Sequence, residues 1–288
     1  MELPERLVFR GARAAAGEWR CPLSWPAFRD TGPIRQHLVA FPRTSVRIRH
    51  EGARPFVTDA TLFTMYNAGQ RYTREAVHPA GDQCDWWSVD LETARAIARA
   101  VDARAPHDTG QPFRFEKGPV DASLYLLQRT ALHRIKAGLA DALEAEEQAM
   151  RIVERALADA VGNSQRARER RDSAHRDLAQ AALALTGARY REGLTLEGIA
   201  SALGVSAFHL CRVFRHQAGV PLHRHLLRLR LRGCLEDVAR AADLSAVALD
   251  AGFCSHSHFT AAFVREFGVA PSVWRSAGRR QRAALRRA

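Results

Sequence analysis

The sequence lacks any long apolar segment. It contains no run of roughly 18 apolar residues, which is the length that a membrane-spanning helix needs. It also lacks the basic start and short apolar stretch of a secretory signal peptide. We therefore expect a soluble, cytoplasmic protein without a membrane partner.

Cysteine is scarce, and no pair of cysteines has CxxC spacing. An odd and dispersed set argues against a disulfide framework and for a reducing compartment. The five cysteines are Cys21, Cys84, Cys211, Cys234 and Cys254.

Patterns of metal ligands and catalytic groups are missing as well. His223 and His225 are two residues apart, as are His256 and His258, and residues two apart on a helix face different directions. No further cysteine or histidine follows at the spacing of a zinc site. No nucleophile–base set or phosphate-binding loop is visible. We predict no metal, no cofactor and no enzymatic activity.

Lysine is nearly absent, yet the formal net charge is +12, because 41 arginines accompany two lysines. Residues 183–288 contain sixteen arginines, no lysine and seven acidic residues, a net charge of +9, and the other 182 residues carry +3. Genome composition can account for arginine over lysine but not for this asymmetry. Positive charge concentrated in one part of a chain is typical of a nucleic-acid-binding module.

The most informative stretch runs from residue 252 to residue 275. Gly252 can supply the positive φ that closes a helix, and Ser255 can cap the next one. The aromatic side chains of Phe259, Phe263 and Phe267 recur every four residues and so share one helical stripe. A buried aromatic spine with a short outer face suits a helix that lies in a DNA major groove. The outer positions are His256, Ser257, Thr260 and Ala261.

The same pattern occurs earlier in the chain. Before the turn the offset is 48, which matches Leu196, Ile199, Ala200 and Gly204 with Leu244, Val247, Ala248 and Gly252. After the turn the offset is 49, which matches Ser206, Leu210, Phe214 and Gly219 with Ser255, Phe259, Phe263 and Gly268. Each copy has the order helix, glycine turn, serine cap and helix, which is a helix-turn-helix. An apolar helix over roughly 222–238 is predicted to join them and carries Arg224, Arg228, Arg230 and Arg232.

A long pattern identifies the second copy: Gly252-Phe253-x-Ser255-x-Ser257-x-Phe259-x3-Phe263-x3-Phe267-Gly268-x2-Pro271-x2-Trp274-Arg275. With it, residues 183–275 resemble the DNA-binding domain of the AraC/XylS family of bacterial transcription regulators. Two features depart from the family pattern. The segment between residue 245 and Gly252 is shorter than usual, and Ala261 stands where an arginine is common, which weakens the case for a strong base contact there.

The N-terminal part has the texture of short β-strands. Strand-like runs at 38–41, 45–49, 61–66, 70–75 and 86–89 alternate with polar turns, which predicts a small sandwich or barrel. Residues 1–18 show no clear pattern. The family resemblance implies that this part is a cupin-like jelly roll that binds an effector.

Helical patterns follow at 91–103, 122–137 and 141–161. In the last of these, apolar residues at near-heptad spacing leave two alternatives open: a helix that forms a homodimer, or a helix that packs on its own domain. The stripe comprises Leu143, Met150, Val153, Leu157 and Val161.

The predicted fold class is α+β, with a jelly-roll or cupin-like β domain, then helices, then an all-α double helix-turn-helix domain. The N-terminal domain is expected to sense an effector or to dimerise, and the C-terminal one to bind DNA. The boundaries are 1–161 for the first domain (β over roughly 19–91, helices over roughly 91–161), 162–180 for a linker, 181–276 for the DNA-binding domain and 277–288 for a basic tail.

Candidate DNA-binding residues lie on the two recognition helices. Arg212 is the best single candidate, because its guanidinium fork can bind guanine O6 and N7 together; its alternative role is a phosphate contact. Arg215 and Arg265 suit phosphate contacts. By position in the family motif, base-facing sites are Phe208, Cys211 and Arg212 in the first helix and His256, Ser257 and Thr260 in the second.

The candidates for an effector pocket are aromatic or polar residues on the predicted strands, since small-molecule sites are apolar cavities with a few polar anchors. An aromatic residue there is also consistent with plain core packing. The candidates are Phe41, Arg43, Tyr66, Tyr72, Trp86 and Trp87.

The sequence thus predicts a sequence-specific transcription regulator that binds double-stranded promoter DNA and responds to a small-molecule effector. The resemblance also implies contact with RNA polymerase. The alternative is a cupin-type, metal-dependent enzyme with a helical C-terminal extension. The third is an architectural DNA-binding protein without a ligand.

Overall fold

The structure is a computed structural model that describes residues 4–26, 28–105, 110–167 and 173–276. It divides into two compact units, 1–171 and 172–288. The division lies inside the segment predicted as a linker, but the described part of that segment is helical. The predicted basic tail, 277–288, lies outside the described residues.

Two antiparallel sheets build the first unit. The larger sheet has the strand order β1-β2-β9-β4-β7-β10, and the smaller has the order β3-β8-β5-β6. The strands are β1 Glu5–Arg10, β2 Ala14–Cys21, β3 Asp30–Thr31, β4 His37–Pro42, β5 Val46–His50, β6 Phe56–Thr58, β7 Leu62–Tyr66, β8 Tyr72–Ala76, β9 Asp82–Val89 and β10 Lys117–Pro119.

The eight strands from β2 to β9 form a jelly roll, because β2-β9-β4-β7 in one sheet faces β3-β8-β5-β6 in the other. The expected jelly-roll architecture is confirmed. The start of the β region at residue 19 is wrong, since β1 and most of β2 precede it. Ala and Gly are weak strand formers, so β2 shows little β pattern and depends on pairing with β9 along its whole length.

Three helices follow in this unit: α1 Leu91–Val101, α2 Ala122–Lys136 and α3 Ala142–Ala167. Helix α3 packs on the larger sheet and on both other helices. Val153 and Leu157 of its apolar stripe are fully buried within the unit, whereas Leu143 is 68% exposed. Of the two alternatives for this helix, packing on its own domain accounts for the central part of the stripe.

A buried charge cluster attaches α2 to the outer face of the larger sheet. The Lys136 ammonium lies 2.7 Å from a Glu18 carboxylate oxygen, and Arg129 lies 2.5 Å from Asp85. Burial pushes the pKa of Glu18 upward, but Lys136, Arg20 and Arg43 outweigh it, so that the pKa is lowered and the carboxylate stays charged.

The second unit is helical. Its helices are α4 Ser173–Arg189, α5 Leu196–Ala202, α6 Ala207–Ala218, α7 Leu222–Gly233, α8 Leu235–Arg240, α9 Leu244–Asp250 and α10 His256–Phe267. Residues 271–276 form a further helical turn. The single connector helix predicted over 222–238 is wrong, because it breaks at Cys234. Gly233 is a poor helix former, and the Tyr190 ring occupies the space that a side chain there would need.

Throughout the part of the chain that the structure describes, no helix combines the length and apolar character needed to cross a membrane. Each of the five cysteines is free.

Candidate nucleic-acid interface and ligand cavity

The two helix-turn-helix motifs have the same turn. Gly204 and Gly252 both adopt the left-handed conformation, with φ of 67° and 84°. The next residue in each copy donates its backbone N–H to an alanine carbonyl two residues before the end of the first helix: Val205 to Ala200 at 3.1 Å, and Phe253 to the matching Ala248 at 3.0 Å. This bond satisfies a carbonyl that the helix end would otherwise leave unpaired.

The recognition helices also begin in the same way. The Ser206 hydroxyl accepts a hydrogen bond from the N–H of His209 at 3.2 Å, and the Ser255 hydroxyl accepts one from His258 at 3.1 Å. Between Gly252 and Ser255 the second turn contains one residue more than the first. The predicted repeat and its shift in offset are therefore confirmed, and Gly219 and Gly268 end α6 and α10 as expected.

The predicted aromatic spine of α10 is buried. Phe259, Phe263 and Phe267 stack in succession, with ring centroids 5.6 and 4.7 Å apart, and Phe253 from the turn lies 5.2 Å from Phe259. In α6 the corresponding inward residue Phe214 is fully buried. These apolar contacts hold both recognition helices with the opposite face outward.

The candidate residues on α6 lie on that outward face. Phe208 is 80% exposed, Arg212 and Arg215 are exposed, and Cys211 is half-buried. Among the described residues, neither arginine forms an ion pair, so each guanidinium is available to an anionic or acceptor-rich partner.

On α10, His256, Ser257 and Arg265 are exposed. Thr260 is half-buried, and its hydroxyl is shielded from solvent without a hydrogen-bond partner within the described residues. Thr260 therefore does not present its hydroxyl to the outer face in this conformation, unlike what its motif position predicts.

The arginines of the connector have structural roles that the sequence did not reveal. Arg230 donates from Nε to the Tyr190 carbonyl and from Nη2 to the Glu192 carbonyl, both at 2.7 Å. Burial lowers its pKa. Only Arg224 of the four connector arginines is exposed, so the helix contributes less charge to the outer surface than its composition indicates.

A shared carboxylate joins the connector to the second recognition helix. Glu266 of α10 accepts hydrogen bonds from Arg232 at 2.7 Å and from Arg228 at 3.3 Å. The Arg232 side chain is fully buried and that of Glu266 is 12% exposed. We call this three-residue contact, Arg228–Arg232–Glu266, the clasp. No sequence pattern marks it, because its residues lie more than thirty positions apart and resemble solvated surface charge.

The first unit contains a cavity of about 510 Å³ between the two sheets. Tyr66, Tyr72 and Trp86, three of the six effector candidates, line it. The other three, Phe41, Arg43 and Trp87, do not. Side chains alternate between the faces of a strand, so Trp86 and Trp87 point in opposite directions and one pocket cannot contain both.

A close approach between strands accommodates the Trp86 ring. Gly17 pairs directly with Trp86, and a side chain at residue 17 would collide with the indole. The indole N–H of Trp86 is buried and makes no hydrogen bond to any described residue. It is a donor in the cavity wall without a protein partner.

The charged end of the cavity is Asp82, which pairs with the buried Arg74. Arg74 also donates to the Phe28 carbonyl at 2.6 Å, and its guanidinium lies 5.0 Å from the Trp19 ring centroid. Burial raises the pKa of the Asp82 carboxyl and of the neighbouring Cys84 thiol. The cavity is therefore mainly aromatic and apolar, with its fixed charges compensated.

No group of three or more histidine, cysteine or acidic side chains in the described ranges is arranged to hold a metal ion.

Comparison with known proteins places sequence similarity on the two motifs. A helix-turn-helix domain model matches residues 199–277. The probable transcription factor PqrA of Proteus vulgaris is 32% identical over 89 residues, which cover 30% of this chain and 72% of that protein.

Two solved structures were also found. An AraC-type transcriptional regulator from Chromobacterium violaceum is 25% identical and aligns over 37% of this chain and 96% of its own, with a TM-score of 0.34. An apo ToxT structure from Vibrio cholerae is 9% identical and aligns over 92% of this chain and 97% of its own, with a TM-score of 0.36.

The clasp leads to a stability prediction. Glu266→Gln removes the carboxylate that faces the buried Arg232, and breaking a buried ion pair from one side costs about 3 kcal/mol. We expect amides of α10 to exchange roughly a hundredfold faster in hydrogen-exchange mass spectrometry. The matched control is Glu192→Gln, which changes an exposed pair with Arg189 in the same unit and should leave α10 protection unchanged. Equal protection in the two variants would contradict a stabilising role for the clasp.

Proposed function

Because the chain belongs to the AraC/XylS family of transcription regulators, we propose that it binds promoter DNA sequence-specifically through α6 and α10 and responds to a small molecule held in the jelly-roll cavity. The observation that carries the DNA-binding part is the repeated geometry: two recognition helices with identical caps and turns, each with an exposed outer face. Two such motifs fit successive major grooves on one face of DNA, roughly 34 Å apart.

The outer residues have distinct proposed roles. Arg212 reads a guanine through its two parallel donors, while Phe208 and Cys211 contact adjacent base edges. Arg215 and Arg265 contact phosphates, which position the protein without specifying sequence. In the second half-site, His256 and Ser257 face the bases, and Thr260 contributes its methyl group, since its hydroxyl is turned inward.

The effector role rests on the cavity. An enclosed space of about 510 Å³ lined by Tyr66, Tyr72 and Trp86, with one unpartnered indole donor, is the size and composition of a small-molecule site. A ligand with an apolar or aromatic body and an acceptor for the Trp86 N–H would fit it. Its occupancy would alter how the first unit positions or pairs the DNA-binding units.

The remaining parts of the proposal concern partners and place. We place the protein in the cytoplasm with its promoter, as a homodimer that contacts RNA polymerase. No step requires catalysis. The alternative of a metal-dependent cupin enzyme gains no support from the donor sets of the described residues.

Footprinting tests the DNA-binding proposal. On DNA upstream of its own gene, wild-type protein should protect a site that spans two adjacent major grooves. Arg212→Ala should weaken binding to that site by about 1–3 kcal/mol and relax selectivity at one base pair. The control is Arg240→Ala, which removes an exposed arginine of α8 and should have little effect on selectivity.

Uniform, steeply salt-dependent coating of DNA by the wild-type protein, without a protected site, would contradict sequence-specific binding, since phosphate attraction alone produces it.

The cavity proposal has its own test with the fluorescent probe 8-anilinonaphthalene-1-sulfonate. Ala40 lines the cavity, so Ala40→Trp fills it; the control Ala100→Trp adds the same side chain at an exposed position of α1. We expect wild type and control to bind the probe and to change DNA affinity when it is added, and Ala40→Trp to do neither. Circular dichroism checks that each variant is folded. Equal probe binding by all three proteins would show that the probe lies elsewhere.

A further inference from the structure

The two recognition helices differ in chemistry at structurally equivalent positions. The offset of 49 that relates the helices pairs Arg212 with Ala261 and Arg215 with Val264. Both arginine positions of α6 are thus occupied by small apolar residues in α10.

The equivalence is geometric as well as sequential. Each helix begins at a serine cap, ends at a left-handed glycine and buries a phenylalanine at the same place, Phe214 in α6 and Phe263 in α10. The same turns of the two helices therefore face outward, and Ala261 and Val264 are exposed as Arg212 and Arg215 are.

The outer face of α10 is a continuous uncharged stripe. Ser257, Ala261 and Val264 follow each other at spacings of four and three residues, so they share one side of the helix. Val264 is 43% exposed, although a valine has no polar group to solvate. The inward hydroxyl of Thr260 leaves the edge of this stripe without a donor at that position.

Bases differ in what they offer to such a surface. Guanine presents two acceptors in the major groove, which an apolar side chain would cover without supplying a donor; thymine presents its C5-methyl group, which packs against apolar side chains. An alanine–valine face therefore favours thymine and disfavours guanine where it approaches the base edges.

We propose that α10 reads its half-site through contacts of Ala261 and Val264 with thymine methyl groups, whereas α6 reads its half-site through arginine and guanine. The inference rests on the proposed sequence-specific function. The operator is then chemically asymmetric: a guanine is required under α6, and thymines are required under α10.

The experiment begins with selection of bound duplexes from a random-sequence library by the full-length chain. The half-site whose base preference is lost in Arg212→Ala is assigned to α6, and the other to α10. Thymines of the α10 half-site are then replaced by deoxyuridine, which removes only the C5-methyl group. Burial of one methyl group corresponds to roughly a fourfold change in affinity.

We expect affinity to fall roughly fourfold for each contacted methyl group removed from the α10 half-site, and this loss to disappear in Val264→Ala. That substitution shortens an exposed side chain and suits a helix, so folding should be preserved, which a melting curve checks. Deoxyuridine in the α6 half-site should affect wild type and Val264→Ala equally, which controls for changes in DNA shape.

Two results would overturn the inference while leaving sequence-specific binding intact: full affinity for the deoxyuridine operator, or the same methyl dependence in Val264→Ala as in wild type. Failure to enrich any sequence from the library would instead contradict the proposed function, and the inference with it.

Discussion

The buried carboxylate of Glu266 is the contact on which the DNA-binding unit depends. It lies between two guanidinium groups of the connector, so α10 is attached to α7 by charge as well as by apolar packing. Removing charges from water is costly, and such a contact is favourable only with close geometry. The clasp thus favours one orientation of the second motif relative to α7, while Arg230 attaches α7 to the end of α4. Together these contacts prearrange two reading surfaces before DNA is met.

In the jelly roll the corresponding constraint is the alternation of side chains along β9. Trp86 and Trp87 are neighbours in sequence, yet one lines the cavity and the other lies in the core on the opposite face of the sheet. The sheet separates an apolar interior that can receive a ligand from an outer face occupied by helices and by the Glu18–Asp85 charge cluster. Its inner surface is therefore free for binding while its outer surface supplies stability.

Local rules predicted much of this structure. The glycine turns, serine caps and four-residue aromatic spacing of the second unit follow from backbone geometry, so the repeat could be placed to the residue. Strand β2 escaped prediction because its run of alanines depends on pairing with β9, a non-local contact. The face of each effector candidate required the strand register, and the clasp required the tertiary packing of α7 on α10. Long-range contacts of this kind leave no periodic trace in one sequence.

The central claim is that α6 and α10 bind two grooves on one DNA face with a fixed separation. It is tested most directly by inserting five base pairs, half a helical turn, between the two half-sites of the selected operator and measuring affinity. The account predicts that the insertion removes most specific affinity, because the second half-site rotates to the far side of the DNA, and that a ten-base-pair insertion does not restore it, because the motifs cannot separate by another turn. Unchanged affinity and protection of both half-sites at every spacing would contradict it.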